Sequence, residues 1–460
     1  MIRGILAGLA TGLACLFWAA EPVSAQSELS GQTLSRDEGR QLAARLIEAN
    51  QPAPAREILR ALLQADPQDI GTLLLIARAE RLMGNFDVAR QAARAAYAFA
   101  TTEPEKFASA VMVAQVLAAD DRPTAAQFWL RRADNHAQTE TAARLVAQDF
   151  QRLRAQNPLG LRLSFAASPS DNLNNGSANK TTTFEGLPFV FVLSPDALPL
   201  SGVEYSIDAG LSYRLQQTDH SLTTLDLGVY AKAVTLSPEA QASAPTVSNA
   251  DFALAQVTGT LTHRWAPQGS TDPFNLSLSI NSALYAGTPY STGLSLGFGR
   301  DWTLEDDSRL SWSATVNQTR YLEQDEATLG TNTTLTWTKP LASQDTMTLQ
   351  VGLFDVRSDA DTRRLRGWST QVGYDFGAVG KAITLDASLG LNIKDFERSL
   401  FSLSPRTDQS VTLSVDVGLP NLSLYGFDPV VTFEHVATSS TEDLFDTRVS
   451  RVGLSLQTSF

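Results

Sequence analysis

The sequence predicts an α+β multidomain membrane protein: a short N-terminal α-helical module of tetratricopeptide (TPR-like) type, then a C-terminal 14-stranded antiparallel transmembrane β-barrel. Three observations carry this prediction. Hydrophobic periodicity changes once, from helical spacing to strict alternation, at Asn157-Pro158-Leu159-Gly160, and it stays at two thereafter. The alternating part divides into fourteen segments, an even number, as bacterial barrels require. The last segment, Arg451 to Phe460, places apolar side chains on even positions and small or polar ones between them, and it ends in an aromatic residue.

At the N-terminus, Met1-Ile2-Arg3, an apolar run from Ile5 to Ala20, and Val23-Ser24-Ala25 form the three parts of a secretory signal peptide spanning 1–25. Cleavage after Ala25 would leave Gln26 first and remove Cys15, the one cysteine of the chain. A lipoprotein signal at Cys15 fits less well, because Gly12 stands where an aliphatic residue is preferred. An exported chain without disulfides draws its stability from a sizeable core or from the bilayer. No later segment has eighteen uncharged apolar residues in a row, so no membrane-spanning helix is expected.

The helical domain is expected over 35–157. Asp37 and Glu38 fit a first helical turn, and Leu42, Leu46 and Ile47 repeat at helical spacing as far as Asn50-Gln51-Pro52. A second helix carries Ala55, Ile58, Leu59, Leu62 and Leu63 and stops at Asp66-Pro67. About 34 residues on, Ala89 and Ala96 match Ala55 and Leu62, the spacing of a tetratricopeptide repeat. Val111 to Leu117, Asp120-Asp121-Arg122-Pro123 and Ala125 to Ala133 suggest a third, degenerate copy. An ordinary helical bundle would share the amphipathic faces. In either case the expected use is to grip a protein or peptide in a concave face.

The barrel domain is expected over 159–460, with strands centred near Leu163, Ala209, Leu227, Gly259, Leu278, Leu296, Ala314, Thr333, Leu349, Val372, Leu389, Leu413, Val431 and Leu454. Within Ile383 to Lys394 the apolar positions alternate with Thr384, Asp386, Ser388, Gly390 and Asn392. A soluble sandwich would also alternate, but its outer face carries more Lys and Glu. Here the polar face is small and hydroxyl-rich, as in a barrel lumen. Asp226, Asp386 and Asp416 must face that lumen, since a charge on the lipid side near the midplane costs about 2–4 kcal/mol. Arg300, on the apolar face, lies beside Trp302 at a strand end, where it can snorkel to head groups. Trp265, Trp302, Trp312, Trp337, Trp368, Tyr205, Tyr213, Tyr285, Tyr290 and Tyr321 gather towards strand ends as an interfacial girdle. The even-to-odd connections read as short turns, and the odd-to-even ones include the longest loops, near Ser168 to Ser201, Ser237 to Asn249 and Lys394 to Gln409, with Ala286-Gly287-Thr288-Pro289 as a short exception.

Charge and motifs exclude several function classes. The net charge of −13 falls almost wholly on the barrel half, which argues against nucleic acid as a partner. Gly293-Leu294-Ser295-Leu296-Gly297 fits a nucleophile pattern, but it lies inside an alternating strand rather than a strand-turn-helix elbow. His136, His220, His263 and His435 have no metal-ligand spacing. In Asp171-Asn172-Leu173-Asn174-Asn175-Gly176, Leu173 occupies a position where a calcium loop needs oxygen, and a plain turn explains the composition as well. The expectation is therefore a protein with no enzymatic activity, no metal and no cofactor.

The closing strand is similar to the last strand of bacterial outer-membrane barrels, which implies that Gly453, Leu456 and Phe460 serve as a signal for the barrel-assembly machinery. A short helical-repeat module leading straight into a first strand and then Asp171, Asn172, Asn174 and Asn175 resembles the surface lipoprotein assembly modifier family, Slam. That resemblance implies a type XI secretion translocator of the bacterial outer membrane, with the helical domain in the periplasm. The partners it implies are a cargo protein (a surface lipoprotein or secreted protein), a periplasmic chaperone and the outer-membrane lipids. An outer-membrane channel or exporter for a polysaccharide or small solute is the competing reading, because polysaccharide exporters also join repeats to a barrel. A hydrolase would need a Ser/His or carboxylate dyad at one rim, and none can be assembled.

Overall fold

The computed structural model describes residues 34–183, 188–341, 345–379, 383–402, 404–424 and 426–458. The predicted signal peptide with Cys15 and Gln26, and the terminal Phe460, lie outside the described residues.

The helical module comprises α1 (Arg36–Glu48), α2 (Pro52–Ala65), α3 (Ile70–Leu82), α4 (Phe86–Phe99), α5 (Glu103–Ala119), α6 (Pro123–Asp134) and α7 (Glu140–Gln156). Its boundaries follow local chemistry. Ser35 with Glu38 and Thr102 with Glu105 form capping boxes, and Pro52 and Pro123 open α2 and α6, where a missing N–H costs nothing. Asn50, Gly84 and Asp121 take left-handed backbone, with φ of 57°, 78° and 52°, and turn α1 into α2, α3 into α4 and α5 into α6. The module is thus three helical hairpins followed by α7. Ala55, Ala77, Ala89, Ala93, Ala110 and Ala126 are fully buried, and these small side chains let paired helices approach closely around Leu59, Leu117, Leu130 and Phe150. No described helix is long and apolar enough to cross a membrane.

Strand β1 (Leu159–Ser170) leads into a loop holding the short hairpin β2 (Thr181–Thr183) and β3 (Val190–Val192). Then follow β4 (Gly202–Gln217), β5 (Ser221–Leu236), β6 (Leu254–Trp265), β7 (Phe274–Tyr285), β8 (Thr288–Thr303), β9 (Arg309–Tyr321) and β10 (Glu326–Pro340). The remaining strands are β11 (Thr346–Ser358), β12 (Leu365–Val379), β13 (Ile383–Phe396), β14 (Arg406–Gly418), β15 (Phe427–Ser440) and β16 (Thr447–Thr458). Apart from β2 and β3, each strand pairs antiparallel with its neighbours in the chain, and β16 returns to β1 to close a fourteen-stranded barrel. Closure satisfies the backbone without a free sheet edge, the condition for crossing lipid with strands.

The barrel is inverted relative to a soluble protein. Leu227, Val257, Leu278, Ile280, Leu296, Leu353, Leu389, Leu413 and Leu454 are exposed on its outer wall, while Ser, Thr, Gly and Asp fill the alternate positions inside. Aromatic rings collect at both rims. Trp265, Phe274 and Phe298 stack in a row at the end near the module, where Trp312 meets Phe298 edge-on, and Tyr285, Tyr290 and Tyr321 pack at tilted and edge-on angles at the distal end. Arg300 is on the outer wall, 4.6 Å from the Phe274 ring centroid and 5.2 Å from that of Trp302, so two aromatic faces hold its charge at the rim.

The longest connections, 171–201, 237–253 and 397–405, are all distal, where the sequence placed them. Others are short: Ala286 and Gly287, with φ of 49° and 78°, form a two-residue turn, and β9 joins β10 through 322–325.

Candidate functional site

The features that distinguish this barrel from a uniform cylinder lie around β1. On one side β1 pairs with β4 along its whole length, from Leu159 opposite Tyr213 to Ser170 opposite Gly202. On the other, among the described residues, its ladder with β16 runs from Ser164 opposite Gln457 to Ala167 opposite Leu454, and resumes at Ser170 opposite Arg451. Pro169 falls in the interruption and has no N–H to donate. Towards the module, the Leu163 N–H donates to the Thr458 hydroxyl at 3.3 Å. Among the described residues, then, the β1/β16 seam is the least laddered join of the barrel.

The Asp171 to Gly176 stretch clamps the distal end of this seam. The Asp171 N–H donates to the Ser450 carbonyl at 3.3 Å, and its carboxylate accepts from the Ser450 N–H at 2.7 Å. Asn172 is fully buried. Its amide donates to the Gly176 carbonyl at 2.9 Å and the Arg448 carbonyl at 3.0 Å, and its oxygen accepts from the Gly176 N–H at 2.7 Å. Asn174 folds the long loop back, donating to the carbonyls of Asp196 and Leu198 and accepting from the Leu200 N–H. Asn175 supplies a left-handed turn at φ 51°. Leu173 is buried in an apolar cluster with Leu200, Val234 and Leu236. Asn179 reaches the Asp443 carbonyl and the Asp446 carboxylate in the last distal loop, a tie that the sequence did not reveal.

In the lumen, Asp226, Asp386 and Asp416 lie on the inward face. Asp386 sits directly opposite Asp375 on one side and Asp416 on the other, so three adjacent strands present a row of carboxylates. The Thr432 hydroxyl donates to Asp416. No ion pair within the described residues neutralises this row. The wall beside the seam is different, since Arg162 meets Asp208 at 3.2 Å, Lys232 meets Glu204 at 3.5 Å and Arg451 meets Glu434 at 3.0 Å. A cavity of about 660 Å³ opens there, lined by Arg154, Arg162, Asp208, Asp226 and Tyr230. Gly453 lies against β1 across the seam: a Cβ there would come within 2.6 Å of the Ser168 hydroxyl oxygen. Leu456 points outward.

The module is held against the barrel by polar contacts. Asn157, buried between α7 and β1, donates to the Thr124 hydroxyl at 3.0 Å and the Gln127 side-chain oxygen at 3.2 Å, and accepts from the Leu159 N–H at 3.0 Å. Arg214 of β4 donates to the Ala155 carbonyl at 3.0 Å and to the Asn157 carbonyl. Burial, and to a lesser degree the nearby Asp428 carboxylate, push the Asp134 carboxyl of α6 above its usual range. The module therefore ends at the mouth of the barrel beside the seam. The four histidines stay apart, and no group of His, Cys, Asp and Glu fit to hold a metal occurs among the described residues.

A closed, outwardly apolar fourteen-stranded barrel with a helical-repeat module docked at one mouth defines a class, the outer-membrane barrels that carry a repeat domain. Within it, the family model for the surface lipoprotein assembly modifiers matches residues 161–460, and the chain belongs to that family. No curated protein matches it. Among solved structures, the chain is similar to the Yersinia enterocolitica type III secretion translocator chaperone SycD, at 15% identity over 27% of this chain and 88% of that one, with a TM-score of 0.24. It is similar to a BenF-like porin from Pseudomonas fluorescens Pf-5, at 8% identity over 66% and 99% with a TM-score of 0.35. It is also similar to Pseudomonas aeruginosa OccK9 (OpdG), at 10% identity over 65% and 98% with a TM-score of 0.36.

Proposed function

We propose that the chain is a translocator that delivers a partner protein, a surface lipoprotein, across the outer membrane to the cell surface. The observation that carries this reading is the junction. The buried Asn157 and the Arg214 contacts seat a protein-gripping module at the mouth of the barrel, beside the least laddered seam. In this reading the module is periplasmic and receives cargo from a chaperone, β1 runs outward, and the Asp171–Asn172 clamp lies at the cell surface. The barrel is placed in the membrane by the barrel-assembly machinery through Gly453, Leu456 and Phe460. This reading needs no enzymatic step.

The interruption of the β1/β16 ladder at Ser168 and Pro169 favours lateral opening between these strands as the route. Ala166 and Ser455 are register partners there, as Ser279 and Ser295 are between β7 and β8. Oxidising the double variant Ala166→Cys/Ser455→Cys should block surface display of a lipoprotein that depends on this chain, and reduction should restore it. Oxidising Ser279→Cys/Ser295→Cys should change nothing. Undiminished display with the first pair oxidised would place the route in the lumen. Sugar or ion conductance from the purified barrel, with no protein exported, would favour the solute-channel reading.

A further inference from the structure

A second cavity, of about 550 Å³, lies where the module meets the outer wall of the barrel. Its apolar lining comes from Phe128 and Trp129 of α6, Phe150 of α7 and Leu161 of β1, and its cationic lining includes Arg94 of α4 and Arg154 of α7. Leu161 belongs to the lipid-facing set of β1, with Leu163 and Phe165, and is 46% exposed. Its neighbour Leu159 also lines the cavity and is in register with Tyr213, one of the exposed outer-wall aromatics at the module end. The cavity is thus continuous with the bilayer-facing wall at the level of the head groups.

Two features narrow the ligand. The volume falls within the range of about 300–1,000 Å³ typical of small-molecule sites, and Phe128, 51% exposed, offers an apolar surface that the protein itself does not cover. Arg94 makes no ion pair among the described residues, unlike its neighbour Arg90, which meets Asp120 at 3.2 Å, and Arg154 lines both this cavity and the luminal one. Arg154 only donates to the Leu159 carbonyl at 3.3 Å. Burial, and then the nearby Arg154 charge, lower the affinity of Arg131 for its proton, which marks local positive potential. Apolar walls open to the membrane, under a rim of guanidinium groups, match one molecule of the bilayer itself. Guanidinium forks suit phosphate oxygens, and aromatic and leucine side chains suit an acyl chain.

We propose that this cavity binds an anionic phospholipid of the adjoining leaflet, whose phosphate lies on Arg94 and whose acyl chain lies against Phe128 and Leu161. The lipid then acts as a third element of the junction, fixing the module over the seam. This does not depend on what the barrel exports.

The test uses the full chain in nanodiscs of equimolar phosphatidylcholine and phosphatidylglycerol, released into mild detergent and weighed by native mass spectrometry. The wild type should retain one phosphatidylglycerol. The double variant Phe128→Ser/Arg94→Glu, changed at two exposed positions, should retain it about tenfold less, the effect of losing a charge-assisted hydrogen bond. Unchanged heat-modifiability of that variant would show the barrel intact. Equal retention in variant and wild type would overturn the proposal, as would phosphatidylcholine held as firmly as phosphatidylglycerol. A photo-crosslinker at position 128 should capture lipid, and capture of a polypeptide would assign the cavity to a protein partner.

Discussion

Asn172→Ala should weaken the barrel more than any other single change in its distal loops. The side chain is buried and makes three hydrogen bonds to backbone groups, tying Gly176 of the first loop to Arg448 of the last strand. Alanine leaves those groups without partners, each at about 1–3 kcal/mol, so the loss is on the order of 3 kcal/mol or more. The temperature at which the folded barrel converts to the slow-migrating form on semi-native electrophoresis should fall clearly. Asn174→Ala removes only contacts within the first loop, and should expose that loop to protease with little change in the conversion temperature. Equal effects of the two variants would mean that the clamp does not hold the seam.

The second large effect tests which face meets lipid. Leu278 projects outward from β7 in register with Leu261 and Leu296, and its neighbour Ser279 points inward to a hydroxyl pair with Thr260 at 2.8 Å. Leu278→Arg should cost about 2–4 kcal/mol near the bilayer midplane. Ser279→Arg places the same charge in the lumen and should fold into vesicles at close to the wild-type yield. The opposite ranking would invert the assignment of every strand.

The sequence disclosed the barrel well because its signal is local. Each of the fourteen alternating segments is a strand in the structure, since a two-faced wall imposes period two on every one. The helical hairpins were legible for a similar reason: small residues recur where helices touch, and Asn50, Gly84 and Asp121 stand at the turns. Strands β2 and β3 were missed, because three residues are too few to show a period. The three longest loops were placed correctly at the distal end, and the short link at Ala286-Gly287 is joined there by one other tight connection, 322–325.

The candidate site was legible only as composition. Asp171, Asn172 and Asn174 stood out by type, yet their partners Ser450, Arg448 and Leu198 lie far away in the chain or across a loop, and no local pattern encodes such pairings. Leu173 argued against a calcium loop from sequence, and the structure supplies its reason for being there, the cluster with Leu200 and Leu236. The inward positions of Asp226, Asp386 and Asp416 followed from alternation. That Asp375 completes a row with the last two followed only from strand register. The Arg214 and Asn157 contacts that dock the module could not be read at all, because Arg214 bonds to backbone carbonyls and Asn157 to a backbone N–H and to side chains about thirty residues away.

The claim that this chain moves protein to the cell surface is tested most directly by comparing surface-labelled proteins of intact cells of its own source with and without it. Our account predicts that at least one lipoprotein, unchanged in total amount, disappears from the labelled fraction when the chain is removed and returns when the chain is restored. It predicts too that the oxidised Ala166→Cys/Ser455→Cys variant fails to restore it. A labelled fraction identical in both strains, for lipoproteins and secreted proteins alike, would contradict it.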